Sequence, residues 1–404
     1  TYVSILSGII SSLETQSPSF FYSSYSSAGR FTGTIRQSIN DYYRDQHTEG
    51  RIYEQYFKKE YIDVPCTLPL HVFATSSGMS ALTTIVGFIQ GEEKENRPVF
   101  VGESCYFEEK FVVQNFFSNN IIEINEDNIQ EIEQLIKKHQ PIAIFLDSLS
   151  NSSTITQPDM TNLLQRIKTS LKKCCYVVID NTCLSITYQP FLHQFLRDRY
   201  MRIVVWESLL KHHQFGLDKV NGGIIYTNAP NGGKLYTYRD HLGTNISDTQ
   251  AISLPNPNRK FLLQRLLRHE RNTKILVEKL LELQQSKQFH HVQEIVSPLS
   301  PSHKNYTSAK SAVFHGGFIT LKFYSPYNQL SYYKRILKKA FFLAKQQNIP
   351  LVGGTSFGFP ITRLYIPASR PGQGTPFLRI AVGTEPLSDF LRVTEVLINS
   401  LKYS

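Results

Sequence analysis

The chain has few cysteines, no long apolar run and no block of one charge, and each absence excludes something. Its five cysteines, Cys66, Cys105, Cys174, Cys175 and Cys183, form no C-x-x-C pair and are odd in number. That argues against a disulfide framework and against a metal site, and free thiols point to a reducing, cytoplasmic setting. No apolar stretch approaches the length of a membrane span, so no membrane partner is expected. The opening TYVSILSGIISSLE carries no basic segment ahead of its short apolar patch and does not read as a secretory leader. Lys and Arg number 43 against 33 Asp and Glu, a net +10. The basic residues are scattered rather than gathered in an aromatic-laced stripe, which argues against a nucleic-acid partner. No repeat at solenoid periods is visible. What remains is a soluble globular composition, 41% apolar and 19% charged, in 404 residues. That length allows a large domain plus a smaller one.

The first forty residues are rich in Ser, Tyr and Thr (SPSFFYSSYSSAGRFTG) and read as an irregular arm. After Val64 strand-like runs alternate with helical periodicity: HVFAT then GMSALTTIVGFIQ, RPVFV then FEEKFVVQNFF, IIEIN then NIQEIEQLIKKH, PIAIFLD then MTNLLQRIKTSLKK, followed by CYVVID, RIVVW and GGIIYT. This order predicts α/β architecture, a mostly parallel sheet with helices on both faces. From about Pro257 a long helical stretch leads into a smaller α+β region with two strand-like runs, GGFITLKFY and FLRIAVG, around the helix YKRILKKAFFLAKQQ. The expected division is an arm over 1–50, a large domain over 51–252 and a C-terminal α+β domain over 253–404.

In such sheets ligands bind beyond the carboxyl ends of the strands. HVFAT is followed by Ser76–Ala81 (SSGMSA), where small residues at a helix start let N–H groups approach an anion. The same Ser also suits an ordinary helix N-cap. RPVFV is followed by Tyr106, PIAIFL by Asp147–Asn151 (DSLSN), and CYVVI by Asp180. A lone Asp there also serves commonly as a cap or loop residue. RIVVW leads to SLLK, ending at Lys211. A lysine just past a buried strand is ordinarily a surface residue, since a buried one needs a partner or must lose its proton. Taken together, an anion cradle, an aromatic, an acid and a lysine at one sheet edge are what pyridoxal 5'-phosphate requires.

These residues resemble the cystathionine γ-synthase group of fold-type-I pyridoxal-phosphate enzymes, from about Tyr42 to Glu385. SSGMSA is similar to that family's SGMAA turn, which implies phosphate contacts from Ser77, Gly78 and Met79. Tyr106 falls where its ring-stacking tyrosine does. DSLSN is similar to E-T/S-P-x-N, so the resemblance gives Asn151 a contact with the cofactor or the substrate carboxylate. VVIDNT is close to VVDNT, which makes Asp180 the partner of the pyridine nitrogen. ESLLK resembles ESxTK, with Ser208 on the phosphate and Lys211 as the Schiff-base lysine. Asp218 and Gly222-Gly223 fit the downstream D-x-x-x-GG. TSFGF resembles the SLGG turn and puts Ser356 on the substrate side, and FLRIAVGTE, similar to LLRLSVGIE, puts Arg379 on the substrate α-carboxylate. YYRDQHTEGRIYE keeps part of the Y-x-R-x-x-N-P-T spacing. Tyr42 and Arg44 would then reach a neighbouring subunit's phosphate site, implying a homodimer or homotetramer.

The chain departs from this pattern mostly on the substrate side. Leu210 stands for a second phosphate hydroxyl, Phe107-Glu108-Glu109 for a Gly-rich stretch, His212-His213 for a tyrosine and an apolar residue, and Arg363 is brought in where an acid is usual. The adjacent pairs His212-His213 and His290-His291 are expected to be structural or exposed, because neighbouring residues rarely point at one site. The resemblance implies elimination of a β or γ leaving group from an L-amino acid. Tyr106 and Lys211 would move protons in that reaction. γ-Replacement is the nearest alternative, then an aminotransferase or a non-catalytic cofactor-binding homologue.

Overall fold

The computed structural model describes residues 48–65, 69–92, 94–118, 120–193, 198–367 and 375–402. Cys66, Tyr42, Arg44 and the expected arm through residue 47 lie outside that set. Seven strands form the larger sheet: β1 His71–Thr75, β2 Val99–Gly102, β3 Ile121–Ile124, β4 Ala143–Asp147, β5 Cys175–Asp180, β6 Met201–Ser208 and β7 Gly223–Thr227. Their order is β1-β7-β6-β5-β4-β2-β3. The β3-β2-β4-β5-β6 run is parallel, and β7 runs antiparallel to both of its neighbours, β6 and β1.

The central strands are apolar along their length because both faces are covered. Ile144 and Leu146, Val177 and Ile179, and Ile203 and Val205 enter one core. Their alternates Ala143 and Phe145, Tyr176 and Val178, and Val204 and Trp206 enter the other. That is the two-residue period of a strand buried on both sides. Helices α1 Thr48–Tyr61, α4 Ile129–His139 and α5 Met160–Ser170 cover the first face, through Phe57, Ile136 and Leu163 among others. Helices α2 Gly78–Glu92 and α3 Phe107–Phe117 cover the second, through Ile85 and Val113.

Helix α6, Arg259–Gln285, joins the two halves. At 27 residues it is about 40 Å long. Its early residues Leu262 and Leu266 sit in the first core, and Leu276, Leu280 and Leu283 sit in a separate core built on the second sheet. That sheet has five strands, β8 Val292–Val296, β9 Phe318–Phe323, β10 Val352–Gly353, β11 Arg363–Tyr365 and β12 Leu378–Ala381, in the order β10-β11-β12-β9-β8. Helices α7 Leu330–Gln346 and α8 Leu387–Lys402 pack on it. The sequence shows two of these strands. Runs of two and three residues such as β10 and β11 are too short to display a period, and β8 carries an exposed Gln293 and an acid between its apolar ends.

Candidate active site

The topology gathers the strand ends. Since β7 is reversed, its first residue, Gly223, lies at the edge where β1, β4, β5 and β6 finish. Thr75 and Ser208 both pair with Gly223, Trp206 pairs with Asp180, and Asp180 pairs with Asp147. Two glycines are required here. A Cβ on Gly223 would meet the Ser77 carbonyl oxygen at 2.2 Å, so only glycine lets the β1–α2 turn close over β7. A Cβ on Gly78 would meet the Ser208 Cβ at 2.9 Å, which places the start of α2 directly beside Ser208.

Ser77 is an N-cap: its Oγ accepts from the Ser80 N–H at 3.0 Å. Capping and anion binding are compatible, because the first N–H groups of α2, those of Gly78 and Met79, have no acceptor one turn back and remain for an anion. Ser77, Gly78, Met79 and Ser208 therefore form one group.

Asp180 ends β5 and is 9% exposed. Its Oδ1 accepts from the Thr182 N–H at 2.8 Å, and the Thr182 hydroxyl in turn accepts from the Ser208 N–H at 2.9 Å, so the β5 and β6 ends are tied together. Burial pushes the Asp180 carboxyl up to about 6; the Thr182 hydrogen bonds and the charge of Lys211 oppose this, and Glu207 adds to it. Lys211 is half-buried rather than a surface residue. Burial lowers its pKa, against the pull of Cys183, Asp218, Asp180 and Glu108. The charges of Lys211 and Asp180 act on each other. Tyr106 is half-buried at the start of α3, and its phenol is pushed up by burial, then by the Glu108 carboxylate and by Asp180.

The second sheet supplies the opposite wall. Arg379, on β12, is 1% exposed. Its Nε donates to the Thr320 hydroxyl at 3.0 Å, Nη2 donates to the Ser152 carbonyl at 2.6 Å, and Nη1 donates to the Asn151 side-chain oxygen. The two residues assigned to the substrate carboxylate, 228 positions apart, are in contact. Ser356 lies in the TSFGF turn with φ +74°, and the turn rests on the lysine. The Lys211 Nζ is 5.8 Å from the centre of the Phe357 ring, and a Cβ on Gly358 would meet the Lys211 carbonyl at 3.1 Å. Arg363 stacks over Phe359 at 3.3 Å and feels the charge of Asp218, itself among the groups acting on Lys211. Of the residues assigned from sequence, only Tyr42 and Arg44 cannot be placed, being outside the described residues.

Several residues escaped the sequence reading. Glu207, buried on β6, accepts from the Tyr226 hydroxyl at 2.6 Å and from Asn181 Nδ2 at 3.2 Å, and lies 2.7 Å from His213 Nε2. The signal was an acid within β6, directly after the apolar run IVVW. His213 is buried between Glu207, Ser185 and the rings of Phe57 and Tyr61. His212 packs against the rings of His269, Phe314 and Phe357, and His291 against Phe323. Glu109 and Asp147 are both buried; Asp147 pairs in register with Asp180, whose charge acts on both. A cleft of about 310 Å³ beside α1 and β1, lined by Arg51, Glu54, Arg239 and others, contains none of the strand-end residues. The four described cysteines, Cys105, Cys174, Cys175 and Cys183, are free thiols. No helix is long and apolar enough to cross a membrane among the described residues.

The site fits a phosphorylated pyridine aldehyde on three counts: a helix start that only glycine can hold against Ser208, a buried acid in want of a cation, and an amine whose proton is loosened by burial. Comparison with known proteins leads to the same cofactor. A crystal structure of cystathionine gamma synthase from Xanthomonas oryzae pv. oryzae superposes with a TM-score of 0.70 at 17% identity, over 91% of this chain and 89% of that one. Cystathionine gamma-lyase from Lactobacillus plantarum gives 0.68 at 19% identity, over 91% and 90%. The bifunctional enzyme flvA of Aspergillus flavus is 23% identical over 331 residues, 81% of this chain; the chain spans only 38% of that relative's length. These likenesses show the fold, a fold-type-I architecture. The family described as Cys/Met metabolism PLP-dependent enzyme matches residues 25–355, and by that match, over a strand-end site of the required chemistry, the chain belongs to that family.

Proposed function

We propose that the protein removes a side-chain leaving group from the β or γ carbon of an L-amino acid, with Lys211 as the covalent cofactor anchor. The observation that carries this reading is the placement of an amine, an acid and a phenol at one sheet edge, opposite an Arg379–Asn151 pair on the other wall. Ser77, Gly78, Met79 and Ser208 would hold the phosphate, Asp180 would keep the ring nitrogen protonated, and Tyr106 would stack on the ring. When bound, pyridoxal phosphate supplies an aldehyde for amines and a protonated ring that draws electrons from the substrate's Cα–H bond.

The chain's own residues do the rest. Arg379 holds the α-carboxylate; a planar fork suits that task, and Asn151 yields or shares its place on Nη1. Lys211, with its pKa lowered by burial, is able to accept the Cα proton as a neutral amine and, for a γ leaving group, to carry a Cβ proton. Tyr106 keeps its own proton because burial and Glu108 raise its pKa, so it meets the departing group as a phenol able to donate a hydrogen bond to it. γ-Replacement uses the same residues, and the synthase among the structural likenesses favours it as the second reading.

The test is borohydride reduction of the holoenzyme followed by peptide mapping. The reduced cofactor is expected on Lys211, and K211A is expected to lose both the label and turnover, the latter by roughly 10²–10⁴-fold or more. A label on another lysine, or none, overturns the proposal. Homoserine esters, cystathionine, methionine and cysteine are then screened for keto acid and ammonia. An amino-acid product that appears only with added thiol marks replacement, and amino transfer without loss of the side-chain group refutes both readings.

A further inference from the structure

Glu109 is the third residue of α3, where a helix start ordinarily presents an acid to solvent. Here it is 0% exposed, and it points at the end of β4. A carboxylate oxygen of Glu109, one of Asp147 and the Cys105 sulfur all lie within 4.8 Å of one another. Asp147 is 3% exposed and pairs in register with Asp180. Both Glu109 oxygens, and Oδ1 of Asp147, are buried without a conventional donor.

The charged and titratable groups acting most strongly on the pair are Asp180, Glu126 and Cys105, none of them a cation. Glu126 is occupied elsewhere, accepting from the Ser104 N–H and hydroxyl, and the Cys105 thiol lies 3.4 Å from the Phe145 carbonyl. Two ionised carboxyls cannot face each other in such a place, since burial strips both of water, Glu109 has no donor, and Asp147 has only the weak Cys105 thiol. One proton between them satisfies both: one carboxyl donates and the other accepts. The helix dipole at the start of α3 favours an anion, but over so short a distance it is weaker than unscreened repulsion between two buried carboxylates.

We infer that Glu109 is a carboxylic acid at neutral pH and donates its proton to Asp147, so that the two carboxyls bring one charge instead of two to the neighbourhood of Asp180. Glu109 is a positioning residue. A second anion there would raise the proton affinity of Asp180, leaving it protonated at neutral pH and unable to meet a protonated ring nitrogen as a carboxylate. The direction of the shifts agrees: burial, and after it the charge of Asp180, hold Asp147 well above the usual carboxylate range while the hydrogen bond from Glu109 pulls it down, and burial and the charges of Asp147 and Asp180 hold Glu109 well above that range. The inference rests on Asp180 as the cofactor's partner.

The experiment is infrared difference spectroscopy of wild type against E109Q, on holoenzyme and on cofactor-free protein, with cofactor dissociation constants and bound-metal analysis. A protonated-acid carbonyl band that shifts in D₂O is expected at pH 7 in wild type and is lost in E109Q. E109Q keeps a neutral donor and is expected to bind cofactor within about threefold of wild type. E109L fills the space without a donor, and in urea unfolding of the cofactor-free protein its folding equilibrium constant is expected to fall about tenfold or more relative to E109Q, the cost of a buried acceptor left unmatched. The absence of the acid band, an E109L as stable as E109Q, or a stoichiometric metal ion in the purified protein overturns the inference. The band in cofactor-free protein is independent of Lys211, so this result and that of the borohydride experiment stand or fall separately.

Discussion

Asp180→Asn in the cofactor-free protein gives a sharp measure of how the site is built. The Asp180 carboxyl moves from an ordinary 3.8 in the unfolded chain to about 6 in the fold, chiefly through burial. By linkage that rise corresponds to roughly 3 kcal/mol of folding free energy. The sign follows from which state holds the proton. Below about pH 4 both states are protonated and the contribution is fully present. Between about pH 4 and pH 6 the unfolded chain releases its proton first, so stability falls as pH rises. Above the folded value the contribution is gone, and the fold carries a buried anion that only a cation can relieve. The asparagine has no such proton, and the loss of repulsion on Asp147 works in the same direction. Urea unfolding of cofactor-free wild type and D180N between pH 4 and pH 7 is expected to show the variant gaining about 3 kcal/mol on wild type across that window. A constant difference, or one that turns against the variant as pH rises, would show that Asp180 is not the buried acid this site requires.

Two further outcomes bear on the walls of the site. Arg379→Lys keeps the charge but gives up the fork that spans Asn151, Ser152 and Thr320. KM for the amino acid is expected to rise about tenfold or more while the borohydride label on Lys211 persists, and an unchanged KM would remove Arg379 from the substrate. We also propose that the active enzyme is a homodimer or homotetramer in which Arg44, with Tyr42, completes a neighbour's phosphate site. Co-expressed K211A and R44A chains are then expected to restore part of the activity that each lacks alone, and no recovery in verified mixed oligomers rules out a shared site.

The strand ends were legible because a parallel sheet buried on both faces leaves an unusually plain record: uninterrupted apolar runs, each stopping at a polar residue. Asp180, Tyr106 and Ser208 could be placed at one edge without knowing the strand order, since the right-handed crossovers of such folds bring the carboxyl ends together whatever that order is. β7 breaks the rule by running backwards, and its Gly222-Gly223 pair becomes intelligible only when the Ser77 carbonyl is seen 2.2 Å from where a side chain would begin. The second wall was less legible. Arg379 lies on the second sheet and Asn151 in the loop after β4 of the first, and no local period reports a contact between them.

Glu109 marks the limit most clearly. In the sequence FEEKF, two acids at a helix start look like dipole-favoured residues facing water, and for Glu108, half-buried near Tyr106, that is close to the truth. One residue on, a turn of about 100° sends Glu109 into the sheet, while Phe107 and Phe111, which periodicity alone would bury, are each 67% exposed. Local pattern ranks residues by what they prefer. It does not report when a fold accepts an exposed pair of aromatic rings so that an acid stands beside Asp180, and a residue placed against its preference in this way is where a function built into the site is to be sought.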